Sequence, residues 1–123
     1  DELERAWQHA RTALNATGLA VPRTSSLGLD DDSLHAVIRS GRLLVVGPDL
    51  AYLPAQIDDI TPRLADLKEG FTVSEFRDAM GVSRRHAVPL LEWLDAQGWT
   101  SRRGDVRFVR RRQTPSGGDA PTR

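Results

Sequence analysis

Two glycines, Gly81 and Gly98, cut the stretch from Phe71 to Arg112 into pieces so short that few folds can use them. The stretch reads FTVSEFRDAMGVSRRHAVPLLEWLDAQGWTSRRGDVRFVRRR. Phe71-Thr72-Val73 favours extended backbone, and Ser74 is placed to cap a helix running to Met80, with Phe76 and Met80 four apart on one face. Gly81 breaks that helix. Ser83 stands at the N-cap of a second one, where Val88, Leu91, Leu94 and Trp93 form an apolar stripe and Gly98 supplies a left-handed end. Segments Trp99–Arg102 and Val106–Arg110 then flank Arg103-Gly104-Asp105, a turn suited to a tight hairpin. In such a hairpin Arg103 faces Val106, Arg102 and Arg107 lie just beyond, and Phe108, alternating with Arg107, should point to the core.

The preceding half has a related order. DELERAWQHARTALNAT reads as an amphipathic helix, with Leu3, Trp7, Ala10 and Leu14 on one face and Gly18 as its stop. Leu19–Gly28 carries proline, threonine and serines and reads as a loop with one short helical turn. Asp30-Asp31-Asp32 precedes a second helix with Leu34, Val37 and Ile38 inward, and Asp31 or Asp32 should cap it. The three aspartates lack further ligands at calcium-loop spacing, so they read as a solvated helix start. Arg42–Val46, a Gly47-Pro48-Asp49 turn and Leu50–Leu53 form a hairpin. Pro54–Gly70 resumes a helical stripe through Ile57, Ile60, Leu64 and Leu67, with Thr61-Pro62 available as N-cap and first helical residue of a restart. Helix, turn, helix, hairpin is the order of a winged helix. The expected class is therefore mainly α with small β-hairpins (α+β), as two tandem winged-helix domains over 1–53 and 54–112 and a disordered tail over 113–123. Each module has a size at which a single core is marginal, so mutual packing should help both.

The formal net charge of zero hides a segregated distribution. Residues 1–53 hold five arginines against seven acids, whereas residues 98–112 hold six arginines against Asp105 alone. The local figure matters more, because exposed charges more than about 8–10 Å apart are largely screened at physiological salt. Cysteine is absent, which excludes disulfides and thiolate metal sites and is compatible with a reducing compartment. No apolar run approaches the ~18 residues of a membrane span, and no signal-peptide pattern opens the chain. It begins at Asp1, directly in helical sequence, as expected of a segment from a longer protein.

Catalytic signatures are missing: there is no phosphate loop, no GxSxG elbow and no HExxH pair, and His9, His35 and His86 fall in separate elements. Nucleic-acid binding fits better. Arg84, Arg85 and His86 occupy the first turn of a helix, where free backbone N–H groups already favour a phosphate and arginine opposes the helix dipole. The competing reading of these arginines is a solvated surface with local ion pairs, such as Arg77 with Asp78, or Asp105 with Arg77 or Arg107. The two tryptophans of the C-terminal stretch, Trp93 and Trp99, read first as packing residues, although Trp99 could also stack on an unpaired base.

FTVSEFRD, SRRHAVPLLEWLD and GWTSRRGDVR, in that order across residues 71–107, closely resemble the last winged-helix module of the bacterial selenocysteine-specific elongation factors, the SelB family. Arg85 stands where that pattern often has lysine. The Gly41–Leu53 hairpin and the Leu19–Pro22 loop are loosely similar to the penultimate winged helix of the same family. The resemblance implies a monomeric, cytoplasmic mRNA-binding region that recognises a hairpin, the selenocysteine insertion element (SECIS). Selenocysteine is thereby directed to a UGA codon through the ribosome and selenocysteyl-tRNA. It further implies that Arg84, Arg85, His86, Arg102, Arg103, Gly104 and Arg107 meet the RNA. This segment is then no enzyme and holds no cofactor, GTP and Mg belonging to an N-terminal part whose motifs are not in these residues. Two other functions remain open: a DNA-binding transcriptional regulator, which the acidic turn of the helix at Glu92 and Asp95 disfavours, and a protein-interaction scaffold, favoured if the arginines are paired internally.

Overall fold

A computed structural model describes residues 1–110; the expected tail over 113–123, together with Arg111 and Arg112, lies outside the described residues. The described residues are mostly helical with two small antiparallel hairpins, an arrangement consistent with a winged helix. Helix α1 (Glu2–Asn15) starts on the side chain of Asp1 and buries Trp7, Ala10 and Leu14, the face set by the helical period. A single 3-10 turn, Thr24–Ser26, interrupts the loop that follows. Helix α2 (Asp31–Arg39) is capped by Asp30, which accepts from the Ser33 N–H, rather than by Asp31 or Asp32. Those two lie in the first turn, where their charge suits the dipole.

Strands β1 (Leu44–Gly47) and β2 (Leu50–Tyr52) pair with a bulge at Val46, and Pro48 with a left-handed Asp49 (φ 57°) makes the turn. A left-handed aspartate is held there because its carboxylate accepts from the Thr24 hydroxyl (2.6 Å), the Ser25 N–H (2.8 Å) and the Ser25 hydroxyl (3.0 Å). The next stretch breaks earlier than the proline suggests. Helices α3 (Pro54–Asp58) and α4 (Ile60–Ala65) are separated at Asp59, and Pro62 sits inside the first turn of α4, where its missing N–H breaks no helical bond. Thr61 is therefore not an N-cap.

Helix α5 (Val73–Met80) is capped by Thr72, not Ser74. The Thr72 hydroxyl accepts from the Glu75 N–H while the Glu75 carboxylate accepts from the Thr72 N–H, a reciprocal box that satisfies two free donors. Gly81, at φ 69°, ends α5, and Gly98, at φ 82°, ends helix α6 (Arg84–Gln97). Strands β3 (Thr100–Arg103) and β4 (Val106–Val109) pair in the register Arg103↔Val106 and Arg102↔Arg107 about a Gly104-Asp105 turn, as the spacing predicts. Phe71 extends this ribbon by exchanging both backbone hydrogen bonds with Arg107.

The buried side chains from Trp7 to Leu94 form one continuous apolar cluster. Polar bonds cross it: Tyr52 donates from its hydroxyl to the Leu19 carbonyl, and Gln56 donates to the carbonyls of Leu14 and Gly18, closing the end of α1. The cluster also brings β1 against α6, so tightly that a side chain at Gly47 would come within 3.0 Å of Pro89.

Three carboxyls are held below the usual range: Asp49 by the Thr24 hydroxyl, Asp30 by the Ser33 N–H, and Glu75 by the Thr72 N–H. A depressed carboxyl contributes stability above its unfolded-state pKa, and that contribution fades as pH falls through the folded value. Asp49→Asn should thus lower the urea midpoint at neutral pH, and its disadvantage should shrink as pH falls below the ordinary aspartate range and through the lower folded-state pKa of Asp49. A gap between the two proteins that stays constant from neutral to acid pH would contradict this account of the turn.

Candidate nucleic-acid interface

Ser83 occupies the N-cap of α6, yet its side chain makes no capping bond to the helix. Its hydroxyl instead meets Nδ1 of His86 at 3.1 Å, so the first N–H groups of α6 keep the unsatisfied donors that attract an anion. Arg84 and Arg85 follow, both exposed, and neither has a carboxylate partner among the described residues.

His86 is placed differently from the sequence expectation. It is only 5 % exposed, and its Nε2 lies 2.9 Å from the Val21 carbonyl. A carbonyl can only accept, so Nε2 carries the proton, and bare Nδ1 takes the Ser83 hydroxyl hydrogen. His86 fastens the first turn of α6 to the loop after α1 and does not face solvent. A terminal nitrogen of Arg85 lies 3.2 Å from the same Nε2; both are donors, so this approach is no hydrogen bond and leaves the Arg85 guanidinium without an acceptor there.

The wing separates its arginines in the same way. Arg102, Arg103 and Gly104 are exposed at the tip. Arg102 donates from Nε to the Gly104 carbonyl at 2.9 Å, leaving its terminal nitrogens outward, and the Arg103 guanidinium lies 5.4 Å from the Phe108 ring centre. Gly104 takes the left-handed conformation (φ 60°) at the first position of the turn, where glycine suits a hairpin. Arg107 is the exception: it is 5 % exposed and pairs with Asp95 at 2.8 Å, not with Asp105. The alternation of the strand is therefore opposite to the hydropathy reading, with Arg107 inward and Phe108 half-buried on the other face. Backbone pairing with Phe71 fixes that parity, and the Asp95 carboxylate makes it tolerable for a guanidinium.

Arg77 pairs with Asp78 as expected, while Arg23, Arg42 and Lys68 are matched to Asp49, Glu4 and Glu75. Sequence reasoning passed over Arg63. This exposed residue of α4 donates to the Met80 carbonyl at 3.3 Å, which carries a cation to the α5–α6 turn; only tertiary contact reveals it. Trp93 and Trp99 meet edge to face, 6.2 Å between centres, half-buried against the core. Among the described residues no group of three histidines or carboxylates could hold a metal, and no helix is long and apolar enough to cross a membrane.

This geometry has known counterparts. The family model for the winged helix of elongation factor SelB matches residues 63–109. The chain is 30% identical over 118 residues to the selenocysteine-specific elongation factor of Desulfomicrobium baculatum, covering 83% of this chain and 18% of that protein. It is 30% identical over 90 residues to the Escherichia coli factor of the same name, covering 68% of this chain and 15% of that protein. The chain thus spans less than a fifth of the length of these relatives. Among solved structures, the mRNA-binding domain of elongation factor SelB from E. coli, in complex with SECIS RNA, superposes with a TM-score of 0.71 at 26% identity, over 89% of this chain and 98% of that one. A bacterial selenocysteine-specific elongation factor, EF-Sec, shares the fold with a TM-score of 0.70 at 22% identity, over 89% of this chain and 19% of that one.

His86→Phe should lower stability by about 1–3 kcal/mol, since it strips the buried Val21 carbonyl of its donor. Arg84→Ala should stay within about 0.5 kcal/mol of the parent, as exposed substitutions do. Urea unfolding of the two variants checks the contrast, and equal midpoints would count against this division of the first turn of α6.

Proposed function

We propose that this chain, which belongs to the C-terminal winged-helix region of the SelB elongation-factor family, binds a hairpin in mRNA of the selenocysteine insertion type. The observation that carries the reading is the sorting of cations. Arg84 and Arg85 at the start of α6, and Arg102 and Arg103 at the wing tip, are exposed and have no carboxylate partner among the described residues. A scaffold whose arginines brace it would pair them internally. Four exposed guanidinium groups, Arg102 with its terminal nitrogens outward, suit phosphate oxygens and the edges or faces of unstacked bases. The deep major groove of A-form RNA is closed to a helix, so contact through a helix start and a hairpin tip fits a stem with exposed loop bases.

On this reading the contacts are Arg84, Arg85, Arg102 and Arg103, with Gly104 allowing the backbone of the tip to come close. His86 and Arg107, enclosed as they are, serve beneath the surface. The chain divides into two tandem winged-helix modules, 1–53 and 54–112, of which the second meets the RNA and the first orients it. Such a segment binds and performs no chemistry. It would act as a monomer in the cytoplasm, as the mRNA reader of a longer factor that uses GTP and Mg elsewhere and delivers selenocysteyl-tRNA to the ribosome at UGA.

The test is a shift assay with a SECIS stem-loop, the same stem with its loop replaced, and duplex DNA of equal length. The stem-loop should be retained best; preference for the duplex DNA, or indifference to the loop, would overturn the reading. Arg84→Ala and Arg103→Ala should each weaken stem-loop binding with the circular dichroism unchanged. The double variant should flatten the dependence of log affinity on log salt by a slope of roughly 1–2, the loss of about two phosphate contacts.

A further inference from the structure

One carboxylate holds the wing. Asp95, in the last turn of α6, accepts from Nε of Arg107 through both oxygens (3.2 and 3.1 Å) and from a terminal nitrogen at 2.8 Å. The Thr100 hydroxyl donates to the same group. Asp95 therefore joins the end of α6 to the first residue of β3 and to the middle of β4, while the backbone of Arg107 is bonded to Phe71 at 2.9 and 3.0 Å. Toward the tip, by contrast, the polar contacts of the described arginines stay within the hairpin: Arg102 to Gly104, and Arg103 over Phe108. Because directly opposed residues share a face, Arg102 projects from the same side as the anchored Arg107. The tilt of the hairpin on α6 thus decides where Arg102 points.

Stability alone is a poor reason for this arrangement. An acid in the last turn opposes the helix dipole, and an enclosed ion pair is often matched or bettered by apolar side chains of similar volume. What a two-pronged guanidinium–carboxylate contact supplies that an apolar pair does not is direction. We propose that Asp95 and Arg107 are positioning residues for RNA binding. Without touching RNA, they hold the wing at the angle that lets Arg102 and Arg103 engage the nucleic acid together with Arg84 and Arg85. This rests on the RNA-binding reading above.

The chain has no cysteine, so two labels can be placed without background. Spin labels at E92C on α6 and D105C on the wing tip, both exposed positions, report the spread of wing angles in the free protein. In the labelled background, D95L with R107M should broaden the label–label distance distribution while far-UV circular dichroism and melting temperature stay near those of the parent. In the unlabelled chain the same pair should weaken SECIS stem-loop binding on the order of tenfold and flatten the salt slope by about 1–2, as two side chains lose their preset orientation. R107K keeps the charge but not the fork and should fall between. If D95L with R107M fails to fold, T100V, which removes only the hydroxyl contact, should broaden the distribution and weaken binding to a smaller degree. An unchanged distance distribution would overturn the inference, and so would a broadened one with unchanged affinity and slope. Failure of the parent chain to bind any stem-loop would overturn the RNA reading and this inference together, whereas a rigid wing on a variant of a binding-competent parent overturns the inference alone.

Discussion

Burial of the apolar face of α6 is the constraint on which the other elements depend. Ala87, Leu90, Leu91 and Leu94 are fully enclosed, and α5, β1 and β3 all pack on this one helix. Each large aliphatic side chain so enclosed stabilises the fold by roughly 1.5–3 kcal/mol relative to exposure. The helix accommodates Pro89 in its interior, at the loss of one helical donor, and the ring lies directly on Gly47 of β1. A surface helix with polar residues all round could not organise both hairpins in this way.

From that placement follows the sorting of charge. The end of α6 that leads into the wing presents Asp95 inward, and the wing answers with Arg107 and Thr100. The beginning of α6 presents His86 inward, and the loop after α1 answers with the Val21 carbonyl. Residues on either side of these anchors, Arg84 and Arg85 at one end and Arg102 and Arg103 at the other, are left outward with no carboxylate partner among the described residues. The proposed binding edge is thus the remainder after the interior has claimed the polar groups it can satisfy. An unsatisfied buried group is costly, so this claim comes first.

Much of the fold was legible. Period and glycine placement located α1, α5 and α6, and the Gly104-Asp105 turn set the register of the wing to the residue. The caps were less so. Asp30, Asp31 and Asp32 are chemically equal candidates, as are Thr72 and Ser74, and the choice depends on which residue leaves the helical conformation. The site was legible in composition but not in orientation. In Val106-Arg107-Phe108-Val109 hydropathy favours Phe108 as the inward residue, and the opposite parity prevails because Phe71, thirty-six positions earlier, bonds the backbone of Arg107. The acid in an otherwise apolar helix face, Asp95, was the available signal for a buried arginine.

The sequence by itself determined the order of helices and hairpins, their glycine stops, and the concentration of arginine at the start of α6 and in the wing. These follow from local backbone preference and short-range periodicity, which act within a few residues. Only the tertiary structure decided that Arg84, Arg85, Arg102 and Arg103 face solvent while His86 and Arg107 are enclosed. That decision belongs to partners distant in the chain, Val21 for His86 and Asp95 with Phe71 for Arg107. A polar side chain can turn inward only where another element brings it a group to bond.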